Sequence, residues 1–150
     1  MIKNLRIFKE WIKDITSFGS LPFHSMIFLV FILFGKYLTA FKIFLCIVIS
    51  IGLVFLIRLF YKKDRPIKIK KNNTFLERLD SQSFPSAHST RTASVFFIIG
   101  ITIKELSLFL IILLILISLS RIILKKHYFT DISAGILIGI LIGLFINYIL

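Results

Sequence analysis

The sequence predicts an all-α fold, a polytopic bundle of about five transmembrane helices preceded by an amphipathic helix at the membrane surface. Three observations lead there. The 150 residues are 57% hydrophobic with a mean hydropathy of +0.95, and a soluble domain of this length could not hide so much apolar surface. The apolar residues gather into five runs joined by connections that are short in all cases but one. The basic residues, which give a net charge of +12, cluster between those runs, as they do on the cytoplasmic loops of membrane proteins.

Residues 1–17 form the first element. Ile2, Leu5, Phe8, Trp11, Ile12 and Ile15 recur at helical spacing, with Lys3, Lys9, Lys13 and Asp14 between them. Such a basic amphipathic helix rests in the headgroup layer; packing against the rest of the domain is the other reading. The charges also argue against a cleavable signal peptide. The spans follow at about Leu21–Gly35, Phe41–Phe60, Ser86–Ile103, Leu106–Leu124 and Ile132–Leu150. Pro22 suits the start of the first. That span is the shortest for a hydrocarbon layer of about 30 Å, so four spans with a re-entrant hairpin is the alternative. Gly135, Gly139 and Gly143 make a small-residue stripe on the last span, read as a packing face. The single long connection runs from Tyr61 to Phe84. The chain thus reads as one domain, 1–150, whose lone Cys46 lies inside an apolar run and leaves no role for disulfides.

With five spans, the polar residues at the span ends converge on one rim of the bundle. Arg58 and Arg65 close the second span, and guanidinium groups grip phosphate oxygens in bidentate fashion. Taken singly, each also reads as an ordinary flanking charge. Pro85-Ser86-Ala87-His88 opens the third span: Ser86 is a good N-cap, Ala87 lets a ligand near the backbone, and a helix N-terminus attracts anions. His88 is placed to donate a proton. Arg121 ends the fourth span, and His127 and Asp131 follow four residues apart. A carboxylate that fixes one imidazole nitrogen frees the other to attack, although capping or metal binding explains that pair alone equally well. His24, near the same rim, reads as a headgroup or core residue.

Together and in order, these pieces resemble the type 2 phosphatidic acid phosphatase family, which shares its site with vanadium haloperoxidases. The family pattern is Lys, six residues, Arg-Pro; then Pro-Ser-Gly-His; then Ser-Arg, five residues, His, three residues, Asp. Here it runs from Arg58 through Arg65-Pro66 and Pro85-Ser86-Ala87-His88 to Ser120-Arg121, His127 and Asp131. Arg58 replaces the usual Lys, and Ala87 the usual Gly. The resemblance, covering 58–131, implies a lipid phosphatase or diphosphatase that needs no metal or other cofactor. It implies a catalytic set of His127 as nucleophile, Asp131 orienting it and His88 as acid and then base. Arg58, Arg65, Ser86, Ala87 and Arg121 would hold the phosphoryl group.

A site on a membrane rim suits a lipid substrate of the phosphatidic acid or phosphatidylglycerol-phosphate type. A polyprenyl diphosphate phosphatase is the alternative, and a non-catalytic lipid-binding membrane protein is the rival of another class, one that needs none of these site residues. Sixteen of the 19 Lys and Arg fall on the rim with the candidate site, which leaves Lys36, Lys42 and Lys104 for the other. That asymmetry favours anionic headgroups over nucleic acid as the partner, and places an integral membrane protein with its catalytic face in the cytoplasm. Oligomeric state is not legible.

Overall fold

A computed structural model describes residues 2–67 and 74–150, and of residues 2–6 and 76 the backbone alone. Lys68, Lys70 and Lys71, counted above on the site rim, lie outside the described residues, as do the side chains of Ile2, Lys3, Leu5 and Arg6. The described elements are all helical: α1 (Ile2–Ser17), α2 (Leu21–Leu33), α3 (Tyr37–Phe60), α4 (Phe75–Asp80), α5 (Ala87–Thr102), a 3-10 turn (Lys104–Leu106), α6 (Ser107–Ile123) and α7 (Phe129–Ile149).

All five predicted apolar helices form, as α2, α3, α5, α6 and α7. By length and apolarity three stretches are long enough to cross a membrane alone: α3, Lys104–Ile123 and α7. Residues Ile7–Ser17 and α2, bent by 45° at the break between them, make a fourth only as one broken span. The expected fifth, α5, has 16 residues, a length of about 24 Å at 1.5 Å per residue. It is the central helix, packed against α3, α6 and α7. Its run Ser89–Phe96 is buried throughout, so polar Ser and Thr are tolerated there without facing lipid.

The local sequence explains each boundary. Ser20 caps α2, accepting from Phe23 N–H, and Pro22 lies in the first turn. Gly35 ends α2 with φ +69°, a conformation open to Gly, and α3 restarts at Tyr37, four residues earlier than the apolar run predicts. Helix α4 was not expected within the long loop. Its signal is a capping box, in which Thr74 Oγ1 accepts from Glu77 N–H and Glu77 returns a bond to Thr74 N–H.

The core joins Ile43 and Cys46 of α3, Val95 and Ile98 of α5, Ile117 of α6 and Ile146 of α7. The glycine stripe of α7 is the close-approach face against α5. A Cβ on Gly139 would lie 2.3 Å from Thr90 O, and one on Gly135 2.9 Å from Ser86 O. Outward, Leu108, Phe109, Ile111 and Ile112 of α6 are exposed, as lipid-facing residues are. Helix α1 packs on α6 with Ile12 buried, as the second reading of it expects, while Phe8 and Trp11 are exposed.

Candidate active site

Helix polarity brings the ends of α3 and α6, the starts of α5 and α7, and the elbow between α1 and α2 to one end of the bundle. A cavity of about 350 Å³ opens there. Arg58, Arg65, Ala87, His88, Arg121 and His127 all line it, so six of the eight predicted residues meet around one space. The other two stand behind it. Ser86 is fully buried, and its hydroxyl caps α5 through Ser89, accepting from its N–H at 3.4 Å and from its Oγ at 3.0 Å. Its N–H donates to the Asp131 carbonyl at 3.0 Å, which ties the Pro85-Ser86 turn to the start of α7.

His127 sits in the connection between α6 and α7, not on α7 itself, and is 3% exposed. Its Nδ1 lies 2.8 Å from Ser83 O. A carbonyl only accepts, so Nδ1 carries the proton and the lone pair belongs to Nε2. Burial above all, then Arg121 and Arg65, pushes this imidazole from its ordinary 6.5 down to about 3. A neutral ring with a free Nε2 is the form that can act as a nucleophile.

Asp131 is fully buried and reaches His127 less directly than the spacing implied. Its Oδ2 is 3.9 Å from Nδ1, beyond a hydrogen bond. That oxygen instead accepts from Ser83 Oγ and, at 2.8 Å, from Tyr128 N–H, the capping role noted for the pair. Oδ1 accepts from Lys63 Nζ at 2.6 Å. Ser83 therefore stands between acid and base, its hydroxyl on Asp131 and its carbonyl on His127.

The guanidinium groups are held by backbone carbonyls and, for Arg121, by a hydroxyl, and they carry spare donors. Arg58 donates to Leu79 O at 3.3 Å and Pro85 O at 3.1 Å, Arg65 to Asp80 O, and Arg121 to Thr16 Oγ1 at 3.1 Å. Yet the Nε of each of these three arginines is buried without a hydrogen-bond partner among the described residues. Buried, charged and unsatisfied donors are costly, and three such arginines around one cavity make it strongly favourable to an anion. Lys126 adds a fourth cation to the lining.

Three contributors escape sequence reading: Lys63 and Ser83, which hold Asp131, and Lys126. Lys126 adjoins His127, and Ser83 precedes the Phe84-Pro85 step, but nothing in their spacing distinguishes them from neighbouring loop residues. His24 proves to be a core residue, fully buried, its Nδ1 2.8 Å from Ser20 O and its ring beside Phe23 and Phe96.

The sequence matches the PAP2 superfamily over residues 39–150. The chain belongs to that superfamily. Two solved structures share its fold. A transmembrane PAP2 type phosphatidylglycerolphosphate phosphatase from Bacillus subtilis aligns with 95% of this chain and 76% of its own, at 21% identity and a TM-score of 0.77. LpxE from Aquifex aeolicus aligns with 95% of this chain and 86% of its own, at 22% identity and a TM-score of 0.80. This PAP2 protein carries Arg58, Arg65, His88, Arg121, His127 and Asp131 within the matched stretch, whereas α1 and α2 precede it.

Proposed function

We propose that this PAP2 protein is a metal-independent lipid phosphatase that cleaves a terminal phosphate through a phosphohistidine on His127. The observation that carries the reading is the meeting of His88, His127 and three arginines in one cavity. Nε2 of His127 attacks phosphorus while the guanidinium groups and the N-terminus of α5 balance the equatorial oxygens. His88 gives its proton to the departing oxygen, then takes one from the water that cleaves the phosphohistidine. The donor set is cationic, and the acidic groups present are already engaged by cations: Asp131 by Lys63, Asp80 by Arg58. That composition suits a phosphate better than a metal ion.

A second cavity supports the lipid. About 260 Å³ in volume, it shares Arg58, Asp80 and Ala87 with the first and continues between apolar Leu21, Ile51, Val54 and Phe55. A phosphate in the first cavity could keep its apolar tail in the second. The phosphatidic acid or phosphatidylglycerol-phosphate class is therefore the proposed substrate, in keeping with the Bacillus subtilis phosphatase of the same fold. The excess of basic residues on the site-bearing rim supports a cytoplasmic face for the site.

Purified protein assayed against phosphatidic acid, phosphatidylglycerol phosphate and a polyprenyl diphosphate tests this. Release of phosphate from the first two should persist in EDTA, fall with vanadate and vanish in His127→Ala. Acid-labile, base-stable phosphate should appear on the wild type alone. Turnover by His127→Ala at the wild-type rate would remove the nucleophile, and preference for the diphosphate would move the substrate class.

A further inference from the structure

The cavity is closed on one side by residues that precede the family-matched stretch. Thr16, Ser17 and Ser20, from the elbow between α1 and α2, line it together with Arg65. Two contacts tie this elbow to groups assigned to catalysis. Thr16 Oγ1 accepts from Arg121 at 3.1 Å, and Gly19 lies beside the His88 side chain. A Cβ on Gly19 would stand 3.0 Å from His88 Cδ2, the carbon next to Nε2, and 2.8 Å from Ile117 Cγ2. The elbow is itself fastened from within: the buried Arg91, one turn beyond His88, donates to Gly19 O at 2.7 Å.

We infer that the Thr16–Ser20 elbow is a positioning segment of the active site, with Gly19 fixing the ring of His88 and Thr16 the guanidinium of Arg121. Gly19 is present for room, since any side chain there pushes on the imidazole or on Ile117. The inference rests on the proposed role of His88 as the acid. In that step the Nε2–P bond forms at His127, the P–O bond breaks, and the proton of His88 moves to the departing oxygen. A displaced ring spoils only the last of these. An alkoxide leaving group from a lipid needs that proton, whereas an activated aryl oxide does not.

The discriminating measurement is kcat/KM on phosphatidic acid and on para-nitrophenyl phosphate for the full chain in detergent. Gly19→Ala should slow the lipid by about tenfold, since the ring must give by part of the ångström whose loss costs about 100-fold. The aryl phosphate should slow by less than about threefold, because a good leaving group forgoes general acid help. His88→Ala is the control and should show the same selectivity. If it does and Gly19→Ala slows both substrates equally or neither, the His88 half of the inference is overturned. If His88→Ala itself slows both alike, the acid assignment fails and takes the inference about Gly19 with it. Thr16 gives an arm that crowds nothing. Thr16→Ala should raise KM about tenfold for both substrates, the scale of one hydrogen bond to a charged group. Thr16→Ser should restore it, and an unchanged KM in Thr16→Ala overturns the Arg121 half.

Discussion

At His127, one backbone carbonyl does what the spacing of His and Asp assigned to a carboxylate. Ser83 O fixes the tautomer at 2.8 Å, and Asp131 acts one step removed. The depressed pKa of this ring has a consequence for stability. The unfolded chain takes up the proton near 6.5 and the folded one only near 3, so between those values the unfolded state binds more protons. Stability is therefore complete above pH 6.5 and is lost as pH falls through that window. His127→Gln keeps a donor for Ser83 O but cannot titrate, and its melting temperature in detergent should fall less steeply over the same range. A parallel decline would assign the acid sensitivity elsewhere. Lys63 makes a second residue-scale prediction. Its amine is 2.6 Å from a carboxylate with no exposure, so Lys63→Met should cost about 1–3 kcal/mol in unfolding measurements. Much less should be lost when Asp131→Asn is already present. Arg58, Arg65, His88, Arg121, His127 and Asp131 were legible because fixed gaps link them. Lys63 was not, because nothing in a lysine-rich loop marks the one amine that reaches a carboxylate 68 positions later.

Among the elements, α5 carries His88 and α7 carries Asp131, and glycine decides how closely these two helices meet. The i, i+4, i+8 stripe on α7 was legible as a packing face, but its partner was not, since periodicity names a face and never the neighbour. The partner is the buried polar helix α5, whose Thr90 carbonyl would be 2.3 Å from a Cβ on Gly139. Gly52, on α3, has nothing within 4 Å of such a Cβ. The two glycines should therefore respond with opposite sign. Gly139→Ala forces α7 away from α5 and should destabilise by about 1–3 kcal/mol, the usual cost of overpacking. Gly52→Ala meets no neighbour and should stabilise by about 0.5–1 kcal/mol through helix propensity. Thermal unfolding of both variants in one detergent measures the pair. Because Ser86 N–H bonds to the Asp131 carbonyl, Gly139→Ala should also lower activity, whereas Gly52→Ala should leave it unchanged. The helices were legible for the same reason their junctions were not: apolar runs declare spans, while the α2–α3 turn at Gly35 and the capping box of α4 are decided by two or three residues each.

Across the whole molecule the two ends of the bundle differ in charge as sharply as in chemistry. Beyond Arg58, Arg65 and Arg121, eight basic residues with described side chains (Lys9, Lys13, Lys62, Lys63, Arg78, Arg91, Lys125 and Lys126) belong to the site-bearing end and three, Lys36, Lys42 and Lys104, to the other. The far end is also where the chain finishes, since Lys42 Nζ of α3 donates to Asn147 Oδ1 of α7 at 3.0 Å. Each lysine or arginine close to an anionic leaflet contributes about 1 kcal/mol, which makes an inverted insertion costly. A charge difference of this size therefore predicts that the catalytic cavity faces the cytoplasm and that Leu150 lies across the membrane from it. Two reporters fused after Leu150 read this out: alkaline phosphatase, active only when exported, and a fluorescent protein that matures only in the cytoplasm. The first should be active and the second dark. The opposite pattern would place the cavity on the outer leaflet, so that the lipid phosphate it meets must first be carried across.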